Sequence, residues 1–247
     1  MRYLVLSDVH ANREALEAVL EDAAAEGYDA TLLLGDVVGY GADPEAVIAR
    51  LRGLPGLVAV RGNHDRVAAG FDDGEDFNEA ARAAVLWTRE RLSGEAAAFL
   101  RDLPRGPVPF GPGRILSHGS PLDEDQYLLE PAQAQRCFDT VPFELAFFGH
   151  THLPGVFAWD GGRAAWSAVR GAERAVMALP PARRHLVNPG SVGQPRDRDA
   201  RCGYALFDED AMSVTLRRVP YPHAESRRRI LEAGLPAWLG DRLLLGV

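Results

Sequence analysis

Five short apolar runs in this chain each stop at side chains able to bind a metal. Tyr3–Leu6 runs into Ser7-Asp8-Val9-His10, and Ala30–Leu34 runs into Gly35-Asp36. Leu57–Val60 leads to Gly62-Asn63-His64-Asp65, Arg114–Ser117 to His118, and Leu145–Phe148 to Gly149-His150-Thr151-His152. Runs this short and this apolar read as buried strands. Helical patterns separate the first three. Asn12 stands as an N-cap before Leu16, Val19, Leu20 and Ala23 on one face, and Asp43-Pro44 opens a second helix that reaches about Leu51. Strand, helix, strand, helix, strand predicts βαβ units and a largely parallel α/β sheet. In open sheets of that kind, sites are built at the carboxyl edge of the strands.

The rest of the chain is less regular. Residues 66–105 read as mostly helical, with Ala80–Leu92 and Gly94–Leu103 as the clear pieces. Val156–Trp159 and Ala164–Trp166 flank an Asp-Gly-Gly turn and predict a hairpin, and Cys202–Asp208 with Met212–Val219 predicts a second. A helix is expected over Ala224–Ala233. No repeat, low-complexity linker or composition break divides the chain, so one domain over residues 1–247 is expected.

Charge and composition remove several functions. A net charge of −8 lacks the basic footprint that a nucleic-acid polymer or anionic membrane surface requires. The runs Arg183-Arg184 and Arg227-Arg228-Arg229 read as solvated faces. All 27 basic residues are arginine, which excludes a P-loop lysine and Schiff-base chemistry. Cys137 and Cys202 are far apart and in no metal-binding spacing, as expected of reduced thiols. The first residues do not form a signal peptide, and no run approaches a membrane span, so a cytoplasmic location is expected.

A single histidine after a strand is ordinarily a loop or core residue. The weight here comes from five successive strand ends, which hold five of the seven histidines. Residues two apart on extended chain point the same way, so Asp8 with His10, and His150 with His152, are expected to converge. Imidazole, carboxylate and amide donors without thiolate suit a first-row divalent metal: manganese, iron, cobalt, nickel or zinc. There are too many for one tetrahedral zinc, and two metals sharing one carboxylate fit better. Asp36, alone at its strand end, is the natural bridge. Paired metals can hold a hydroxide at neutral pH and clamp the oxygens of an in-line displacement, the arrangement of phosphoester hydrolysis.

In order and spacing, Asp8-x-His10, Gly35-Asp36, Gly62-Asn63-His64-Asp65, His118 and Gly149-His150-Thr151-His152 resemble the motif set of the calcineurin-like metallophosphoesterases. Gly39-Tyr40-Gly41 and Asn188–Asp197 are similar to a bacterial branch of that family, which extends the likeness over nearly the whole chain. The resemblance implies a four-layer αββα sandwich with two central mixed β-sheets. It implies one metal on Asp8, His10, Asp36 and His152, and another on Asp36, Asn63, His118 and His150, with manganese the expected ion. It also implies that His64 contacts the phosphate and protonates the leaving alkoxide after attack by a metal-bridging hydroxide, with Asp65 orienting its ring.

Asn12, Arg13, Gln194 and Arg196 are candidates for substrate contact, against readings of Asn12 as a helix cap and of the arginines as surface charge. Ser191 is not a serine-hydrolase nucleophile, because its G-x-S-x-G elbow would need glycine where Pro189 stands. The acidic chain favours a small phosphorylated substrate, a nucleotide-type phosphodiester or phosphoanhydride. A phosphomonoesterase or protein phosphatase is the enzymatic alternative, and a metal-binding interaction scaffold the non-enzymatic one. Oligomeric state is not readable.

Overall fold

The computed structural model describes residues 1–247. The strands are β1 Arg2–Leu6, β2 Ala30–Leu33, β3 Val58–Ala59, β4 Val108–Gly111, β5 Arg114–Leu116, β6 Leu145–Phe147, β7 Gly155–Trp159, β8 Ala165–Ala168, β9 Arg174–Ala178, β10 Arg184–Asn188, β11 Cys202–Asp208 and β12 Ser213–Val219. The helices are α1 Arg13–Glu26, α2 Pro44–Arg52, α3 Asn63–Ala68, α4 Glu79–Arg89, α5 Gly94–Asp102, α6 Pro131–Thr140, α7 His223–Glu232 and α8 Ala237–Asp241. The strands make two six-stranded mixed sheets, ordered β3-β2-β1-β11-β12-β9 and β4-β5-β6-β10-β7-β8.

The reading of one mostly parallel sheet is therefore corrected: the five strand ends are shared between two sheets. β1, β2 and β3 are parallel in the first, and β5, β6 and β10 are parallel in the second. The parallel run of the first ends at β1, because β11 pairs there antiparallel, with Arg2 opposite Asp208. The two-sheet sandwich that the family resemblance implied is what the chain adopts.

Alternation along the strands explains the four layers. On β1, Leu4 and Leu6 face a core shared with Leu16, Val19 and Leu20 of α1 and Val47 and Ile48 of α2. Tyr3 and Val5 point the other way, into a core between the sheets with Leu145 and Phe147 of β6. Next to them, Ala146 and Phe148 pack outward against Ala134, Cys137 and Phe138 of α6. A strand buried on both faces must be apolar at every position, so these runs show no polar alternation.

Both predicted hairpins form, as β7–β8 and β11–β12. The strand expected over Leu57–Val60 shrinks to two paired residues. Strands β4, β9 and β10 and helix α6 lie outside the sequence reading. Reading Arg183-Arg184 as a solvated face is wrong at Arg184, which opens β10. Its guanidinium donates to the carbonyls of Phe138, Val141 and Phe143 and so closes the C-terminal end of α6. No helix is long and apolar enough to cross a membrane.

Candidate metal centre

The carboxyl ends of the parallel strands of both sheets meet at one place, and the backbone there is unusual. Asp8, His10, Asp36, His150 and His152 all have positive φ, between 49° and 63°. Only nine non-glycine residues in the chain do so. Each such residue costs about 1–3 kcal/mol and persists where its surroundings over-determine it. The expectation that His150 and His152 share a direction because the chain is extended is thus incorrect. β6 ends at Phe147, and the two rings diverge into different groups of donors.

The first group gathers Asp8, His10, Asp36 and His152. His152 Nε2 lies 3.2 Å from Asp8 Oδ1 and 3.3 Å from His10 Nε2. Asp36 Oδ2 is 3.6 Å from His10 Nε2. The second group gathers Asp36, Asn63, His118 and His150. His118 Nε2 lies 3.1 Å from both Asn63 Oδ1 and His150 Nδ1, and 3.4 Å from the same Asp36 Oδ2. One carboxylate oxygen therefore faces both groups. Its partner, Asp36 Oδ1, accepts from the His64 backbone N–H at 2.9 Å. Gly62 permits this close approach, because a Cβ there would overlap Asp36 Oδ1.

The outer nitrogens decide which lone pairs point inward. His10 Nδ1 donates to the Val38 carbonyl, His118 Nδ1 to Leu34, His152 Nδ1 to Gln194, and His150 Nε2 to Asp125. With its proton on the outer nitrogen, each ring turns an unprotonated nitrogen toward its group, as metal-ligating histidines do. Asp8 Oδ1 is buried and has no hydrogen-bond partner, while Oδ2 accepts from Ser7 Oγ and the His150 N–H. An orphaned carboxylate oxygen beside facing imidazole lone pairs fits a divalent cation and is costly without one.

The electrostatics favour the neutral ring at three of the four histidines and the charged one at His118. Burial lowers the pKa of His10 and His152, and that of His150 to about 3. His118 is pushed up to about 10: burial opposes the shift, but the Asp36 and Asp8 carboxylates outweigh it. Despite burial, the facing histidines hold Asp8 and Asp36 below the usual carboxylate range.

His64 lines the cleft of about 250 Å³ that opens on both groups. Its ring is set by packing, 4.4 Å from Tyr40 and 4.6 Å from Phe77 between ring centroids. Gly39 must be glycine, since its φ is +88° and a Cβ there would overlap His64 Nδ1. Burial lowers the His64 pKa to about 4. Asp65 does not orient that ring, which corrects the expectation. Its Oδ1 accepts from the Val37 and Val38 N–H groups and its Oδ2 from Gly62 N–H, so it ties α3 to the loop after β2. Burial and the nearby Asp36 carboxylate raise its pKa to about 7, against the Gly62 and Val38 donors.

The substrate candidates separate. Asn12 is fully used inside the protein: Oδ1 accepts from Ala15 N–H and Ser226 Oγ–H, and Nδ2 donates to the Gly193 carbonyl. Arg13 is exposed and lies with Glu14 and Glu17 in another depression, away from the cleft. Gln194 is buried behind the site, whereas Arg196 reaches the cleft. Residue-type reasoning missed Tyr127, whose ring stacks 4.0 Å from His150, as well as Phe77 and Asp125. They sit in irregular segments without a motif, and the Asp125 carbonyl is the one hydrogen bond they make to the centre.

A family model described as the calcineurin-like phosphoesterase superfamily domain matches residues 1–212. An uncharacterised protein of Methanocaldococcus jannaschii is 35% identical over 246 residues, which is 98% of this chain and 97% of that protein. The crystal structure of a metallophosphoesterase from Sphaerobacter thermophilus superposes with a TM-score of 0.89 at 38% identity, covering 100% of both chains. A hypothetical protein from Pyrococcus horikoshii has the same fold, with a TM-score of 0.77 at 23% identity over 100% of this chain and 98% of its own.

Proposed function

This chain belongs to the calcineurin-like phosphoesterase superfamily, and we propose that it hydrolyses a small nucleotide-type phosphodiester or phosphoanhydride, acting as one domain over residues 1–247. The observation that carries the reading is Asp36 Oδ2, which faces both donor groups at 3.6 Å and 3.4 Å. Asp8, His10, Asp36 and His152 would hold one divalent cation, and Asp36, Asn63, His118 and His150 another. Two cations held there, with manganese the expected pair, would supply an activated water and would neutralise charge on the non-bridging phosphoryl oxygens.

The chain's own residues do the rest. Val38, Leu34, Asp125 and Gln194 fix the ring orientations, so little reorganisation accompanies binding. Burial by itself favours the uncharged ring of His64. An anionic phosphoryl group beside it favours the imidazolium, which then donates its proton to the departing alkoxide. Asp65 acts on His64 only through α3, as a positioning residue.

Metal-stripped protein supplied with manganese is to be assayed on bis-p-nitrophenyl phosphate, p-nitrophenyl phosphate and diadenosine tetraphosphate. Turnover of the diester or the anhydride that disappears in Asp36→Asn supports the reading. Turnover of the monoester alone replaces it with a phosphomonoesterase, and turnover unaffected by Asp36→Asn removes the shared carboxylate from the mechanism.

A further inference from the structure

We propose that Arg196, backed by Arg242, forms a subsite for a second phosphate on the same substrate, so that the preferred substrate is a phosphodiester whose nucleoside arm carries a further phosphate group. This rests on the phosphoesterase reading above and sharpens it.

The observation is an arginine of the cleft with no carboxylate partner. Arg196 lines the same cleft as Asp36, His64 and His150. Its Nε and Nη2 donate to Gln194 Oε1 at 3.3 Å and 3.0 Å, and Nη2 lies 3.5 Å from the Tyr40 hydroxyl. No carboxylate pairs with it, and Nη1 has no partner in the protein. The neighbouring acids are committed elsewhere: Asp197 is in a buried pair with Arg218, and Asp199 binds Arg201. Arg66, the other arginine of the cleft, shows the contrast, with Asp72, Glu124 and Asp125 all on its guanidinium.

Arg242 adds a second guanidinium beside the same ring, with its Nε donating to the Val247 oxygen and no Asp or Glu side chain paired with it. Its Cζ lies 5.9 Å from the Tyr40 ring centroid, and that of Arg196 lies 6.0 Å from the same ring. Two guanidinium groups sharing one aromatic ring repel each other unless an anion joins them. Burial and the nearby Arg196 both lower the pKa of Arg242, which is the cost of that arrangement in the empty cleft.

The subsite is also built to a fixed position. Gln194, which aims Arg196, is buried, and its backbone carbonyl accepts from His152 Nδ1. One residue thus sets both an inward-facing imidazole and the outer guanidinium. Arg196 makes no hydrogen bond to either donor group: its partners are Gln194 and Tyr40, and only its charge reaches His152 and His64. It is therefore placed for a neighbouring group of the substrate and not for the phosphorus that the donors surround. Away from Arg196 the cleft carries Asp76, which repels a second phosphate, and Arg66, whose charge is already taken by its three carboxylates, so the Arg196 side is the one that accepts it.

The test compares thymidine 5′-(p-nitrophenyl phosphate) with its 3′-phosphorylated counterpart, which have the same leaving group. In the wild type the 3′-phosphate is expected to raise kcat/KM about 10- to 100-fold, mostly through KM. Arg196→Met should bring the ratio close to one, Arg196→Lys should restore part of it, and Arg242→Met should reduce it a few-fold. A ratio near one in the wild type, or one unchanged in Arg196→Met, overturns the subsite while hydrolysis itself stands. If neither ester is cleaved, the diester part of the hydrolase reading fails separately, and calorimetry of thymidine 3′,5′-bisphosphate against thymidine 5′-phosphate decides the subsite. Tighter binding of the bisphosphate that is lost in Arg196→Met supports it, and equal affinities overturn it. Arg196→Lys serves both arms if the methionine variant does not fold.

Discussion

The floor of the cleft and its mouth are held together in opposite ways. On the floor, each inward-facing histidine is anchored by a backbone carbonyl, and Asp36 is anchored by a backbone N–H. At the mouth, segments 71–78 and 120–129 are joined by side chains. Arg66 reaches Asp72, Glu124 and Asp125, and Arg61 reaches Glu124. Phe71, Leu122, Tyr127 and Leu129 stand exposed there. The floor's geometry follows from the fold, while the mouth's can be rewritten by a few substitutions. The difference suits a fixed chemistry served by an adjustable specificity.

Asp36→Asn attacks the floor at its shared atom and should have the largest effect. It should lower turnover by more than about a thousand-fold and reduce the bound metal seen by elemental analysis, because one change weakens both donor groups. Full metal content with full activity would break the contrast at once. His64→Ala comes next, at about 10²–10⁴-fold in kcat with metal content intact, read best with a poor leaving group, where protonation matters most.

Substitutions at the mouth should cost less and act on KM. Glu124→Gln removes the negative charge and one of the two acceptor oxygens shared by Arg61 and Arg66, and should raise KM a few-fold while leaving kcat within about two-fold, with about 1 kcal/mol lost in urea unfolding. Its pH dependence has a defined sign. Burial pushes the Glu124 carboxyl up, but hydrogen bonds from Arg61 and Arg66 hold it below the usual value. Its contribution is therefore present above the unfolded pKa and is lost as pH falls through the folded one. The stability gap between wild type and Glu124→Gln should be full at neutral pH and close in strongly acidic solution; a gap that widens with acid would reverse the assignment. Tyr127→Ala should do least, a two- to three-fold rise in KM, because the His150 ring it stacks on stays anchored to the Asp125 carbonyl.

Legibility in the sequence follows the same division. Strand ends with their donors were readable because a run buried on both faces must be apolar and must stop where its polar cargo begins, as at Leu6 before Ser7-Asp8 and Phe147 before His150. What periodicity could not tell was which sheet each strand joins, since β1 and β6 look alike as isolated runs. Strand β10 was hidden because its three central residues sit between arginines and an asparagine, and the cost of burying Arg184 is met by carbonyls distant in sequence. Asp65 was misread for a related reason. Its position beside His64 suggests a partnership, whereas its oxygens are taken by Val37, Val38 and Gly62. Tyr127 and Asp125 had no pattern to betray them, because they act from an irregular segment that only tertiary structure brings to the cleft.

The carbonyl anchors also govern how this protein tolerates genetic change. A hydrogen bond to a backbone oxygen survives any substitution that leaves the local chain path intact, so Val38, Leu34, Asp125 and Gln194 can be exchanged without releasing the rings they hold. Damage to the centre is thus confined to a short roll of codons, those of the donors and of the glycines that let the chain pass. A mutational scan should show isolated sharp minima at those positions within a surround that drifts freely, and the catalytic floor should outlast many rounds of change at its rim.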